Sequence, residues 1–174
     1  ADNFLDIIAT GVLNATAKGS IYIYEVSGDM DLDVVNSAEG DVYLKAEDSI
    51  LDSNNTDDAN IIGKDITLFA INGGIGAFDN FLDIAATCVL NATAAVDIFI
   101  YEVAGTMNLG LVSSISGDIY LMALGSIVDS NNNDDANIVG GNTTLASING
   151  GIGALDNFLD IASTGLLNVL AKEG

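Results

Sequence analysis

Apolar residues recur at every second position through a series of short runs. The run IYIYE at 21–25 sets Ile21 and Ile23 on one side and Tyr22 and Tyr24 on the other, and Ile98, Ile100, Phe99 and Tyr101 repeat that arrangement downstream. A period of two is the mark of a strand with one covered face. By the same rule MDLDV (30–34) turns Met30, Leu32 and Val34 inward, and VYLKA (42–46) buries Val42, Leu44 and Ala46 while exposing Tyr43 and Lys45. ITLFA (66–70) hides Ile66, Leu68 and Ala70, and LDIAA (82–86) hides Leu82, Ile84 and Ala86 with Asp83 outside. No stretch keeps a helical apolar face, and β-branched residues dominate the runs. Between them lie VSGD, NSAEGD, SNNTDDAN and NGGIG, rich in the residues that turn corners.

The strand pattern is itself repeated. DNFLDI begins at Asp2, Asp79 and Asp156, so the chain is a tandem repeat with a constant offset of 77 in residue number. Residues 1–76 lie over 78–153 without a gap, with roughly two-thirds of positions identical. The chain therefore divides into repeat 1 (1–76), repeat 2 (77–153) and a partial repeat 3 (154–174), forming one continuous domain, because gapless repetition suits stacked units better than separate globules. The expected fold is all-β, a parallel β-helix or β-solenoid. With about 19 residues per coil, one period makes four coils and the chain about nine, roughly 43 Å of stacked strands at ~4.8 Å each.

Composition limits the partners. Asp and Glu number 25 against 4 Lys and no Arg, for a net charge of −21, a field that repels nucleic acid and anionic lipid. Apolar residues make up 49% of the chain, too many for an acidic disordered tail, and no apolar run reaches the ~20 residues of a membrane-spanning helix. Neither nucleic acid nor membrane insertion is expected. Cys88 is the one cysteine and faces Gly11 and Gly165 in the other copies, so it reads as a drifted turn position or as an interchain disulfide; without His there is no Cys/His nucleophile pair.

Oxygen ligands are densest in DSNNTDDAN and its copy DSNNNDDAN. Asp52, Asn54, Asp57, Asp58 and Asn60, with Asp129, Asn131, Asp134, Asp135 and Asn137, form a candidate calcium-ligand set, since a hard cation takes six to eight oxygens. The spacing is not that of an EF-hand, because Asp57 and Gly63 stand where that loop needs Gly and Glu. A protruding corner held by Asx turns is the alternative. No cofactor is required, and calcium is the candidate ion. NGGIGAFD (72–79) has one residue too many before its Asp for a calcium-binding β-roll, so Gly73, Gly74 and Gly76 read as a tight corner. The outward Tyr22, Tyr24, Tyr43, Phe99, Tyr101 and Tyr120 read either as an aromatic stripe along the rod, for rod packing or glycan contact, or as simple shielding of neighbouring strands.

GSIYIYEVSGDMDL, GDVYLKAEDSILD, DDANI and NGGIGAFDNFLDI, taken as an ordered set, resemble the repeats of very large bacterial exoproteins of the filamentous-haemagglutinin type. That resemblance implies a right-handed parallel β-helix, secretion to the cell surface or beyond, and service as a fibre, stalk or adhesin. The expected function is a structural repeat segment of an extracellular fibre or surface adhesin stalk. Its partners would be copies of itself, end to end or side by side, and a cell-surface or glycan target. The rival readings are a polysaccharide-active β-helix enzyme and a calcium-dependent surface-binding module. An active site is a local exception to a repeat, whereas differences between the copies (Asp29 and Thr106, Lys45 and Met122, Lys64 and Gly141) are scattered, so no enzyme is expected. Uncapped apolar residues near Leu166, Leu167, Val169 and Leu170 create the expectation that the rod continues, covalently or by docking.

Overall fold

A computed structural model describes residues 4–172. In chain order its strands are β1 (Leu5–Ile7), β2 (Leu13–Ala17), β3 (Ile21–Glu25), β4 (Met30–Ser37), β5 (Val42–Ala46), β6 (Ile50–Asp52), β7 (Ile61–Gly63), β8 (Ile66–Ala70) and β9 (Leu82–Ala86). There follow β10 (Leu90–Ala94), β11 (Ile98–Glu102), β12 (Met107–Ser114), β13 (Ile119–Ala123), β14 (Ile127–Asp129), β15 (Ile138–Gly140), β16 (Thr143–Ser147), β17 (Ile161–Ser163) and β18 (Leu167–Ala171). No helix forms among the described residues. The strands alternate between two parallel sheets, one running β1-β3-β5-β8-β10-β12-β15-β17 and the other β2-β4-β7-β9-β11-β13-β16-β18, with β6 also on β4 and β14 also on β12. This is a β-solenoid of eight rungs, each turn contributing one rung to each sheet.

Like residues stack on like. Val42 lies between Ile21 and Ile66, Leu44 between Ile23 and Leu68, and Ala46 over Ala70. Their side chains, with Leu32, Ile50, Ile84 and their counterparts, fuse into one core cluster drawn from both sheets. No single rung could bury such residues alone, so each strand's apolar face is stabilised only by the rung above and below it.

The repeat does not come back to the same side of the rod. From β3 to β11 the chain makes seven strand-to-strand steps, so one repeat spans three and a half turns and β11 lies in the sheet opposite β3. Every register recurs across that change. Ile21↔Val42 becomes Ile98↔Ile119, Val35↔Ile61 becomes Val112↔Ile138, and Ile66↔Leu90 becomes Thr143↔Leu167. The two copies are thus related by a half-turn screw. With three and a half turns per repeat in place of four, each turn is longer than the expected coil, and the rungs number eight, not nine. A whole number of coils per repeat is unnecessary because both half-turns offer a strand the same surroundings.

The half-turn also divides the expected aromatic stripe in two. Tyr22 stacks on Tyr43 in one sheet, with Phe4 edge-on to both, whereas Phe99 stacks on Tyr120 in the opposite sheet. Two strand details differ from expectation as well. Leu13 pairs with Leu32 but Ala15 with Val35, so β4 carries a bulge at Asp33 and Val34, and Val35 is the inward residue in place of Val34. Asp83, expected outside, is 4% exposed because loops cover it.

The turn at Gly76 makes a sharp test of this packing. Gly28 and Gly76 both have positive φ, but a Cβ on Gly28 meets open space, whereas one on Gly76 would collide with the carbonyl oxygen of Phe99 on the next rung. Gly28→Ala should cost only the left-handed backbone penalty, about 1–2 kcal/mol. Gly76→Ala should cost clearly more, as read from urea unfolding monitored by circular dichroism.

Candidate functional site

One sheet is interrupted twice in succession at the same lateral position. Above the eight-residue β4, the next rung is split into β6 and β7 around the loop 53–60, with Met30↔Ile50 on one side and Val35↔Ile61 on the other. The rung after that is split into Ile75 and β9 around the loop 76–81, and β11 then closes over both halves as one strand, pairing Ile98 with Ile75 and Ile100 with Leu82. The two loops consequently leave the rod side by side. The Asn80 amide joins them by donating to the Asp52 carbonyl at 3.1 Å.

Asn60 anchors the base of this projection. It is fully buried, and its Nδ2 donates to Asp52 Oδ1 at 2.7 Å and to the Asp33 carbonyl at 3.2 Å, while its Oδ1 accepts from the Asp83 N–H at 3.0 Å. One side chain thereby ties three successive rungs. Asn137 does the same with Asp129, Gly110 and Asp160. The expected calcium ligands are parted by this arrangement. Asp52 and Asn60 face inward and are spent on hydrogen bonds, as are Asp129 and Asn137, while Asp57, Asp58, Asp134 and Asp135 stand exposed. Asn54 Oδ1 accepts from the Thr56 N–H, an Asx turn, and Asn131 is exposed. Among the described residues no group of three or more carboxylates is placed to hold one metal ion.

The copies differ at the carboxylates of Asp52 and Asp129. Asp129 Oδ2 accepts from the Asn132 N–H at 3.2 Å, whereas Asp52 Oδ2 is buried with no partner. Burial acts to raise the Asp129 carboxyl, but hydrogen bonds from Asn131, Asn137, Asn157 and Asn132 outweigh it and hold its pKa below the usual carboxylate value.

Between the loops lies a cavity of about 360 Å³ lined by Asp57, Phe78, Asp79, Asn80, Phe81, Asp83, Tyr101 and Met122. Asp83 sits at its floor next to Tyr101, its register partner on β11. Burial, followed by the charges of Asp52, Asp57 and Asp58, pushes the Asp83 carboxyl up to about 7. Burial and the charges of Asp57, Asp83 and Glu102 likewise raise Tyr101. One repeat further on, Asp134, Asp156, Asn157, Phe158 and Asp160 line a second cavity of about 210 Å³ on the opposite sheet. Sequence reasoning missed Asp83 because strand alternation gives only which side of a sheet a residue faces, not whether a loop covers that side.

Alternation also passed over a pair of inward carboxylates at the ends of β3 and β11. Glu25 accepts from the Ala9 and Ser27 N–H groups, and Glu102 from those of Ala86 and Ala104. Both are essentially buried and serve to pair corner amides that would otherwise lack partners. Burial pushes Glu102 up to about 7 in spite of these bonds.

A carboxyl raised in the folded state favours folding at low pH, and that contribution is lost as pH rises from its unfolded value, near 4, through about 7. The melting temperature should therefore climb when pH falls from 8 to 5. Asp83→Asn should raise it at pH 8, raise it by less at pH 5, and so flatten the profile measured by calorimetry. No family model, curated protein or solved structure matches the chain, so what the cavity can do follows from its own residues.

Proposed function

We propose that this chain is a structural rod segment of an extracellular fibre or surface stalk. The observation that carries the reading is the unbroken recurrence of strand registers from one repeat to the next through a half-turn screw. A repeat kept in step on both sheets makes a rod that can be lengthened by any number of copies without changing its cross-section, which is what a stalk requires. Both faces also become equivalent along the length. The acidic surface, at −21, would keep neighbouring rods soluble and apart at low salt.

The apolar face left open beside β18 supports the docking of a further rung from another copy. Leu167, Val169 and Leu170 are 46%, 49% and 64% exposed, and Val169, with Ile152, Phe158, Leu159 and Ile161, borders an apolar hollow of about 660 Å³. Stacking of one more rung would cover these positions and pair the free strand edge. Such a contact is head to tail and does not close on itself, so repeated docking gives a filament.

Sedimentation of the 174-residue chain should show concentration-dependent growth into elongated species, visible as thin rods in negative stain. Leu167→Glu combined with Val169→Glu should keep it monomeric. A wild-type chain that stays monomeric at millimolar concentration would count against docking between copies.

A further inference from the structure

We propose that the cavity between the loops 53–60 and 76–81 binds a primary alkylammonium group, carried by a free aliphatic diamine or by a lysine side chain. The first support is Asp83. Its carboxylate lies on the cavity wall, the residue is only 4% exposed, and neither oxygen accepts a hydrogen bond among the described residues. Buried carboxylates are ordinarily paired, because an unpaired one keeps the full cost of its lost hydration. The chain has little to offer as a partner, with 4 Lys and no Arg against 25 acidic residues. The ion pair found among the described residues, Lys18 with Glu39, is at an exposed corner away from the cavity. Without a partner the carboxyl keeps its proton up to about 7, and a cation entering the cavity would take that proton's place.

The walls decide which kind of cation fits. A bare metal ion needs several carboxylate oxygens converging on one point, and the described residues provide no such group. The cavity, at about 360 Å³, is some tenfold larger than the ~30 Å³ share of one water. An alkylammonium uses both halves of this lining. Its N–H donors can pair with Asp83, with Asp57 and Asp79 adding negative charge to the walls, while Phe78, Phe81, Tyr101 and Met122 offer ring faces and apolar surface to the charge and its methylene stem. The acidic part of the arrangement recurs at Asp134, Asp156 and Asp160 with Phe158, without counterparts of Tyr101 and Met122. Half-turn repetition places successive sites on opposite faces, about 17 Å apart along the axis for three and a half rungs of ~4.8 Å.

Isothermal titration calorimetry on the 174-residue chain tests this with three probes: butane-1,4-diamine, Nα-acetyl-lysine amide and calcium chloride. At about 0.15 M salt, diffuse attraction to the acidic surface is screened within ~8 Å. The two amines should bind, Asp83→Asn should weaken them at least tenfold, and Asp48→Asn, outside the cavity, should leave them unchanged. Tighter binding of the diamine assigns the site to free amines, and tighter binding of the lysine derivative assigns it to a side chain. Calcium binding tighter than either amine and lost in Asp83→Asn would overturn the proposal in favour of a metal site. Equal weakening by Asp83→Asn and Asp48→Asn, or none by either, would overturn it in favour of non-specific counterion attraction.

Discussion

Everything in this molecule depends on the parallel, in-register ladder that joins each rung to the next. A rung is too short to bury its own apolar face, so Leu44 has a dry environment only because Ile23 and Leu68 lie in line with it. The same ladder satisfies the backbone, with corner bonds such as Ile21 N–H to the Asp41 carbonyl and Val42 N–H to the Asp65 carbonyl continuing it between strands. Register and core are therefore one constraint. A slip of one residue would turn an apolar face to solvent and bring polar residues inside.

Within that constraint the corners and loops are free to vary, and the variation is where chemistry gathers. Turn length is not constant: Leu5 is one turn from Ile23, whereas the longer turn from Val35 closes only at Ile61, the excess being extruded as the loop 53–60. Extrusion needs an anchor at its base, because the ladder is broken there. Asn60 and Asn137 supply it through an amide that both donates and accepts, a role for which a carboxylate or an aliphatic side chain would not serve. Two loops leaving the same sheet on adjacent rungs then enclose Asp83 and give an acidic rod its one strongly perturbed aspartate among the described residues.

Much of this was legible in the chain. The inward faces of β3, β5 and β8 follow directly from alternation, and the continuous domain follows from gapless repetition. What alternation cannot express is the count of half-turns. The odd number of strand-to-strand steps per repeat depends on β6 and β7 being two halves of one rung, and the sequence between them looks like any other corner. The aromatic residues were misplaced for the same reason, since Tyr43 and Tyr120 are equivalent in sequence but lie on opposite sheets. The inward carboxylates of Glu25 and Glu102 were hidden for another reason. A polar residue at the end of a strand reads as a corner until its backbone N–H partners on the previous rung are known.

The half-turn screw is the central claim, and superposition within one experimental structure tests it most directly. A crystal structure of the 174-residue chain would allow residues 5–95 to be overlaid on residues 82–172. The account predicts a rotation of about 180° around the rod axis with an advance of about 17 Å, three and a half rungs of ~4.8 Å. An overlay with almost no rotation and an advance near ~19 Å, four whole rungs, would contradict it.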